Sequence, residues 1–381
     1  MKPKTRFLLL TSLLFLALLL LSGGSVLAQT PAPTLTSDAA DYPPGATVTL
    51  TGAGWQAGEL VHISVTDIDY VPVHEGDVSA DGSGYFVYQF NLPLYFVPVY
   101  FVTATGSSGA VATTSFTDLS IGTYDQCSND TGSGYPSSSS DPGCQWINGN
   151  LNSNNSAYYE GDATVQRLWL TDLVPGSTHT VTFDYSTTKS GKHSYDFLTT
   201  WNWSENWITL ADRCQGIDGC ETVSETATDI PNDATVPATI EPKAPGSRQF
   251  VMRGGSLTGA AFVNPMPFSG SYSGDSYTRI TVSFTVANSG DMCTTKGGTT
   301  TCGVALWFGA HVARTDQWKA AGSTGGAATI NGSPYHVMLA MLDGASIGSR
   351  DNQMQSNTIR FDLEVAKTAA GTFDREYLWK I

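Results

Sequence analysis

The chain has 381 residues, with 34 Asp and Glu against 19 Lys and Arg and a formal net charge of −15 at pH 7. That acidity repels nucleic acid and anionic lipid, so no nucleic-acid partner is expected, and its plainest meaning is a solvated outer surface. It leaves calcium open among the many Asp and Asn side chains, and no other cofactor is expected.

Lys2, Lys4 and Arg6 precede an apolar run from Phe7 to Leu21, and Val26-Leu27-Ala28 supplies the small residues that a signal peptidase accepts. Residues 1–28 therefore read as an export signal, and the destination as secreted, at the cell surface. The apolar run is shorter than the roughly 20 residues that span a bilayer. No later segment is long and apolar enough to try, so no transmembrane helix is expected after signal removal. The mature chain of 353 residues (381 minus 28) exceeds what one core usually supports, so two or more domains are expected. Loss of three basic residues leaves 16 against 34 acidic, a net −18.

From Thr34 to Asp118 the runs ATVTLTG, LVHISVT, YFVYQFNL, VPVYFVTATG and AVATTSFTD carry apolar or β-branched residues at every second position, the period of a half-buried strand. Pro43-Pro44-Gly45, Gly52-Ala53-Gly54 and Asp81-Gly82-Ser83-Gly84 separate them with residues suited to tight turns. A lead strand near Thr34 and another over Val71 to Val78 bring the expectation to about seven strands, the size of an immunoglobulin-like sandwich. No cysteine lies in this segment, so its core must rest on packing alone. DYPPGATVTLTGAGWQAGELVHISVTD, followed by VSADGSGYFVYQF and VTATGSSGAVATTSFTD, resembles an immunoglobulin-like repeat of large secreted and cell-surface proteins of bacteria. The resemblance covers residues 34–118 and implies a spacer or presenting module without catalytic residues.

Residues 119–155 are rich in Ser, Gly, Asn and Asp and poor in periodic apolar residues, and read as a linker or long decorated loop. Strand-like runs then resume: ATVQRLWL, STHTVTFDYSTT, RQFVMRGGS, YTRITVSFTVANSG, CGVALWFGAHVA, SPYHVMLAMLDGA and NTIRFDLEVAK. No window keeps the i, i+3, i+4, i+7 helical pattern for three turns, so residues 156–366 are expected to form a large all-β sandwich or jelly roll with long loops. In VQRLWLTDLVPGSTHTVTFDY, Val165, Arg167 and Trp169 share one face, and Val181, Phe183 and Tyr185 share one face of the next strand. This resembles the early strands of jelly-roll carbohydrate-binding modules. The wider set GKHSYDFLTTWNWSENW, FVMRGG, ALWFGAHVA and SPYHVMLAMLDGASIGSRDNQMQ resembles a domain of bacterial surface proteins that stands beside adhesin-type repeats and has no assigned chemistry. FDREYLWKI places Phe373, Arg375, Tyr377, Trp379 and Ile381 on one face of a strand and resembles the opening strand of another surface-protein repeat. Residues 367–381 are therefore expected to begin a truncated repeat. The alternative is an edge strand, folded back or paired with a neighbouring subunit.

Cys127, Cys144, Cys214, Cys220, Cys293 and Cys302 all follow the signal, an even number suited to three disulfides in an oxidising compartment. Their spacing points to local pairs, Cys127 with Cys144, Cys214 with Cys220 and Cys293 with Cys302, the last closing a hairpin over the polar loop TTKGGTTT. Zinc is disfavoured, because no C-x-x-C pair occurs and histidines are sparse near the cysteines.

Three patterns invite catalysis. Gly344-Ala345-Ser346-Ile347-Gly348 matches a hydrolase nucleophile elbow, but that fold orders its triad Ser, acid, His, and every histidine here comes earlier; a glycine-flanked turn is expected instead. His179, His193, His311 and His336 are widely spaced and form no H-E-x-x-H pair. Asp196, Glu205 and Asp212 stand near tryptophans, yet glycoside hydrolysis needs two carboxyls at a set distance across a cleft, which sequence spacing does not supply. No enzyme is expected.

Trp201 and Trp203, two apart, would share a face if extended, and with Trp207 would offer a flat apolar platform for sugar rings. Trp207, Phe197 and Ile208 nearby show how readily the same residues serve as interior filling, which is the plainer reading. The sequence thus points to a secreted or cell-surface structural or adhesive protein that presents a β-sandwich surface to a cell-surface protein or glycan. The alternative is a carbohydrate-binding module that uses Trp201, Trp203 and Trp207, attached to a carbohydrate-active protein.

Overall fold

The computed structural model describes residues 32–359 apart from 43, 68–69, 94–96, 98, 119, 130–143, 242–245, 297–298 and 333–334. The export signal and the strand expected over 367–381 lie outside the described residues, as does 360–366. The described chain is nearly all β, as its alternating patterns require.

Eight strands build the first sandwich: β1 (Thr34–Ser37), β2 (Asp41–Tyr42), β3 (Thr47–Ala53), β4 (Leu60–Thr66), β5 (Pro72–Ser79), β6 (Phe86–Asn91), β7 (Tyr100–Gly106) and β8 (Val111–Asp118). One sheet has the order β1-β3-β6 and the other β2-β8-β7-β4-β5, with β2 parallel to β8 and its Asp41 opposite Thr117. This is an immunoglobulin-like arrangement. Every second residue of β3, β4 and β7 points inward, so Val48, Leu50, Val61, Ile63, Val65, Val102 and Ala104 meet Trp55, Phe86, Phe90 and Phe116 in one core. Gly84 holds φ +76 where the chain crosses Trp55, and a Cβ there would stand 2.1 Å from the Trp55 carbonyl oxygen.

The second sandwich contains β9 (Ser120–Ser128), β10 (Gln145–Ile147), β11 (Asn150–Leu151), β12 (Ala163–Leu173), β13 (Thr178–Lys189), β14 (Lys192–His193), β15 (Tyr195–Thr199) and β16 (Glu225–Asp229). It continues with β17 (Gln249–Arg253), β18 (Gly255–Phe262), β19 (Ser269–Gly270), β20 (Ser276–Val286), β21 (Cys293–Lys296), β22 (Thr299–Val312), β23 (Tyr335–Leu342) and β24 (Ala345–Met354). One sheet has the order β10-β9-β12-β22-β17-β16, with β15 and β21 also on β22. The other has the order β11-β24-β23-β13-β20-β18. Leu168, Leu170, Val304, Leu306 and Phe308 from the first meet Val181, Phe183, Tyr185, Ile280, Val282, Phe284, Val337 and Leu339 from the second. Each full-sized apolar side chain buried in this way contributes about 1.5–3 kcal/mol.

Residues 120–128, expected to belong to a linker or loop, instead form β9 beside β12. The apolar alternation is missing because polar groups fill the buried positions. Asp125 pairs with Arg167 at 2.8 Å, and the Gln126 amide donates to the Gly149 and Gln353 carbonyls. Polar side chains are buried at little cost when they are hydrogen-bonded, and they leave no hydrophobic signal.

The 14-residue β22 is buried on both faces. Val304, Leu306, Phe308, Ala310 and Val312 face the main core, while Ala305, Trp307 and His311 face away from it. Disulfides Cys127–Cys144, Cys214–Cys220 and Cys293–Cys302 all lie in this sandwich, and the last joins residues directly opposite in the β21–β22 hairpin.

Reduction by dithiothreitol should therefore destabilise the second sandwich by about 2–4 kcal/mol per bridge and leave the first unchanged. Peptide-resolved hydrogen exchange separates the two; equal loss of protection in both would contradict this division.

Candidate functional site

The stretch from Tyr195 to Cys220 leaves the first sheet at β15 and returns across its outer face. Residues 200–207 turn rather than extend, with the Trp203 amide donating to the Thr200 carbonyl at 3.2 Å, so Trp201 and Trp203 do not share a strand face. Thr209 then caps a short helix, α1 (Leu210–Arg213), in a capping box that commits the Asp212 carboxylate. Trp201 joins Trp146, Trp169 and Trp307 around the Cys214–Cys220 bridge. The Arg213 guanidinium lies 4.2 Å over the Trp201 ring and 5.2 Å from Trp307, and it pairs with Glu225 at 2.9 Å. Arg167 lies 4.4 Å over Trp146. Burial pulls both guanidinium pKa values down, and Asp125 and Glu225 oppose that shift. Trp207 packs with Cys127, Cys144, Val165 and Ile208. Trp201 and Trp207 are thus part of a second core, built of rings, arginines and two disulfides.

Trp203 stands apart. It is 36% exposed, its Nε1 donates to the Gly161 carbonyl at 3.1 Å, and its ring meets Phe197 and His311 edge-on at 5.9 and 5.7 Å. Under it lies a buried polar relay. His311 Nδ1 is 2.6 Å from Asp196 Oδ1, and Asp196 Oδ2 accepts from Trp318 Nε1 at 3.0 Å. Phe197 stacks on His311 at 4.1 Å and His193 on Trp318 at 3.3 Å. Burial pushes the His193 pKa down to about 4, so its ring is neutral at physiological pH. Glu205, also buried, accepts from Asn129 and Ser204. Asp196, Glu205 and Asp212 are each committed to a separate set of partners.

Among the described residues the geometry nearest to a hydrolytic triad lies elsewhere, at residues that no sequence motif marks. Ser177 Oγ is 2.6 Å from His179 Nε2, and His179 Nδ1 is 2.7 Å from Asp343 Oδ2. Ser177, however, donates its own proton to the Val174 carbonyl at 2.6 Å, and Asp41 Oδ2 of the first sandwich stands 3.4 Å from the same His179 Nε2. Burial alone would lower the His179 pKa; hydrogen bonds and charge from Asp343 and Asp41 outweigh it and raise the pKa to about 9. An imidazolium with both N–H groups engaged has no lone pair to act as a base. Asp41 also accepts from the Val174 amide at 2.9 Å, so the group is a charged clamp between the sandwiches. Beside it, burial raises the Asp118 pKa to about 7, while the Val97 amide and the Tyr100 hydroxyl donate to that carboxyl. Asp343 and Gly344, at φ +49 and +78, make the turn between β23 and β24, and Ser346 follows on a strand, as a glycine-flanked turn requires.

Among the described residues no group of three or more His, Cys, Asp or Glu is placed to hold a metal ion, and no helix is long and apolar enough to cross a membrane. No protein-family model matches the chain, and no curated protein matches it. Three solved structures with some likeness are β-sandwich proteins or contain such domains. Macromomycin is 20% identical over 23% of this chain and 99% of its own, with a TM-score of 0.20. The cycloalternan-degrading enzyme of Trueperella pyogenes is 10% identical over 70% of this chain and 31% of its own, at 0.21. The type II cohesin dyad of the adaptor ScaA scaffoldin of Acetivibrio cellulolyticus is 8% identical over 87% of this chain and 96% of its own, at 0.19. At these scores none of the three bears on the function of this chain.

The folded pKa of His179 lies above its ordinary 6.5, so its stabilisation is complete below that pH and is lost as pH rises through about 9. Asp118, raised from 3.8 to about 7, acts in the same direction at lower pH. From pH 6 to pH 10, urea unfolding of the wild type should lose about 3 kcal/mol more than that of His179→Gln, whose remaining pH dependence includes the Asp118 share. A wild-type profile parallel to the variant's would refute the clamp.

Proposed function

We propose that this chain is an exported structural or adhesive protein, secreted and retained at the cell surface, that presents a sandwich surface to a cell-surface protein or glycan. The observation that carries the reading is how the two sandwiches are joined. A single residue separates β8 from β9, and Asp41 of the first sandwich is held by His179 and Val174 of the second. A body of this kind fixes the orientation of whatever it displays, which a flexible tether does not. Three disulfides suit an oxidising compartment outside the cytosol. The first sandwich adds an exposed apolar end, where Tyr70, 74% exposed, stacks on Phe101 at 5.9 Å beside the exposed Val71. In this reading the histidines and carboxylates discussed above serve packing and ion pairing rather than catalysis.

A second reading, a carbohydrate-binding module, is favoured by the exposure of Trp203. With Trp201 and Trp207 absorbed into the second core, a sugar stacked on this stretch would rest on Trp203.

Cell-attachment assays and a glycan array with the mature chain and Trp203→Ala distinguish the two. Attachment to cells or proteins that is indifferent to sugar supports the adhesive reading. Glycan binding that falls about tenfold in Trp203→Ala supports the module. Turnover of glycosides or esters would overturn both.

A further inference from the structure

Between two of the short disulfide loops the second sandwich holds a cleft of about 440 Å³, within the range of small-molecule sites. The segment after Cys220, the turn from β17 to β18 and the connection from β20 to β21 meet there. Its walls are rigid for covalent and steric reasons. Cys293 lines it and is bonded to Cys302 on β22, and the Cys214–Cys220 bridge closes two residues before Thr222. Gly254, at φ +81, rests on β22 so closely that a Cβ would stand 2.2 Å from the Gly303 carbonyl oxygen.

The lining mixes serines and threonines with Val223, Ala287 and Met292, and is lopsided in charge. Ser224, Ser256 and Ser289 offer hydroxyls with no hydrogen bond to the described residues. Asp291 is the charged side chain of the lining; its Oδ2 accepts from Thr222 Oγ1 at 2.6 Å and its other oxygen is free of protein donors. Among the described residues no basic side chain lines the cleft, so a phosphate or carboxylate ligand would meet the Asp291 charge uncompensated, and no aromatic ring lines it for a flat ligand to stack on. One carboxylate falls short of the 6–8 oxygens that calcium takes. What matches one carboxylate and three serine hydroxyls lining the same cleft is a ligand that is itself a dense array of hydroxyl donors and acceptors. Adjacent hydroxyls of a sugar donate to a carboxylate in strong charge-assisted bonds, and serine hydroxyls take either role.

We propose that this cleft binds a neutral saccharide, with Asp291 as the anchoring acceptor and Ser224, Ser256 and Ser289 as its hydroxyl partners. A pre-formed, disulfide-held cleft loses little entropy on binding, which offsets the absence of a stacking ring. None of its lining residues belongs to the Trp203 cluster, so the site works whether or not Trp203 touches a ligand.

Saturation-transfer NMR on the mature chain tests this with maltose, cellobiose, lactose and N,N′-diacetylchitobiose as probes. Asp291→Asn and Ser256→Trp are compared with Trp203→Ala, each first matched to wild type in unfolding midpoint. The expected result is transfer to at least one probe, weakened about tenfold in affinity by Asp291→Asn, abolished by Ser256→Trp and retained in Trp203→Ala. No transfer to any probe, or transfer that neither cleft variant alters, overturns the site. Transfer lost only in Trp203→Ala also overturns it, and would support the carbohydrate-binding module instead.

Discussion

A β-strand whose two faces are both apolar obliges the chain to cover both. β22 is that strand, with Leu306 and Phe308 on one side and Trp307 and His311 on the other. The facing sheet covers the first side in the ordinary way of a sandwich. The second side needs another layer, and the tryptophan-rich segment after β15 supplies it. Trp201, α1 and the Cys214–Cys220 disulfide lie over Trp307, and Arg213 lies against both rings. A guanidinium between indoles is weakly hydrated and planar, so it is buried there at less cost than an ammonium group would be. The same layer accounts for Arg167 and Trp169, which alternate along β12 on that face.

The join between the sandwiches follows a different logic. Asp41 sits on a two-residue strand at the edge of the first sandwich and reaches a histidine that the second sandwich has already oriented through Asp343. Asp41 could not be buried without the imidazolium, and the imidazolium could not be buried without the two carboxylates beside it. The geometry looks like a catalytic triad because both need a histidine held from two sides. What separates them is the direction of the serine proton, which here goes to a backbone carbonyl.

Much of the fold was legible because its determinants are local. Val48 and Leu50, or Val181, Phe183 and Tyr185, show their inward face by alternation alone. The disulfides close separations of 17, 6 and 9 residues, short enough for spacing to indicate the partner. Local pattern does not say which face of β12 meets the main core, because Arg167 reads as solvent until the rings that cover it are in place. β9 went unread because Asp125 and Gln126 are buried through hydrogen bonds rather than through hydrophobicity. Trp201 and Trp203 misled for a related reason: spacing of two means a shared face only in a strand, and Asn202 and Ser204 favour a turn. The clamp was illegible because Asp343 lies 164 residues from His179. The cleft near Asp291 carries no motif at all, since glycines and serines mark turns everywhere in this chain.

Trp203 apart, the tryptophan-rich segment is a closed second layer of the sandwich rather than a free surface. Native-state hydrogen exchange of the oxidised protein tests it most directly. The account predicts that the hydrogen-bonded amides of Ile208, Arg213, Cys214 and Ile217 are protected and open together with those of β22. Exchange of the segment at the rate of an open loop, with β22 still protected, would contradict it.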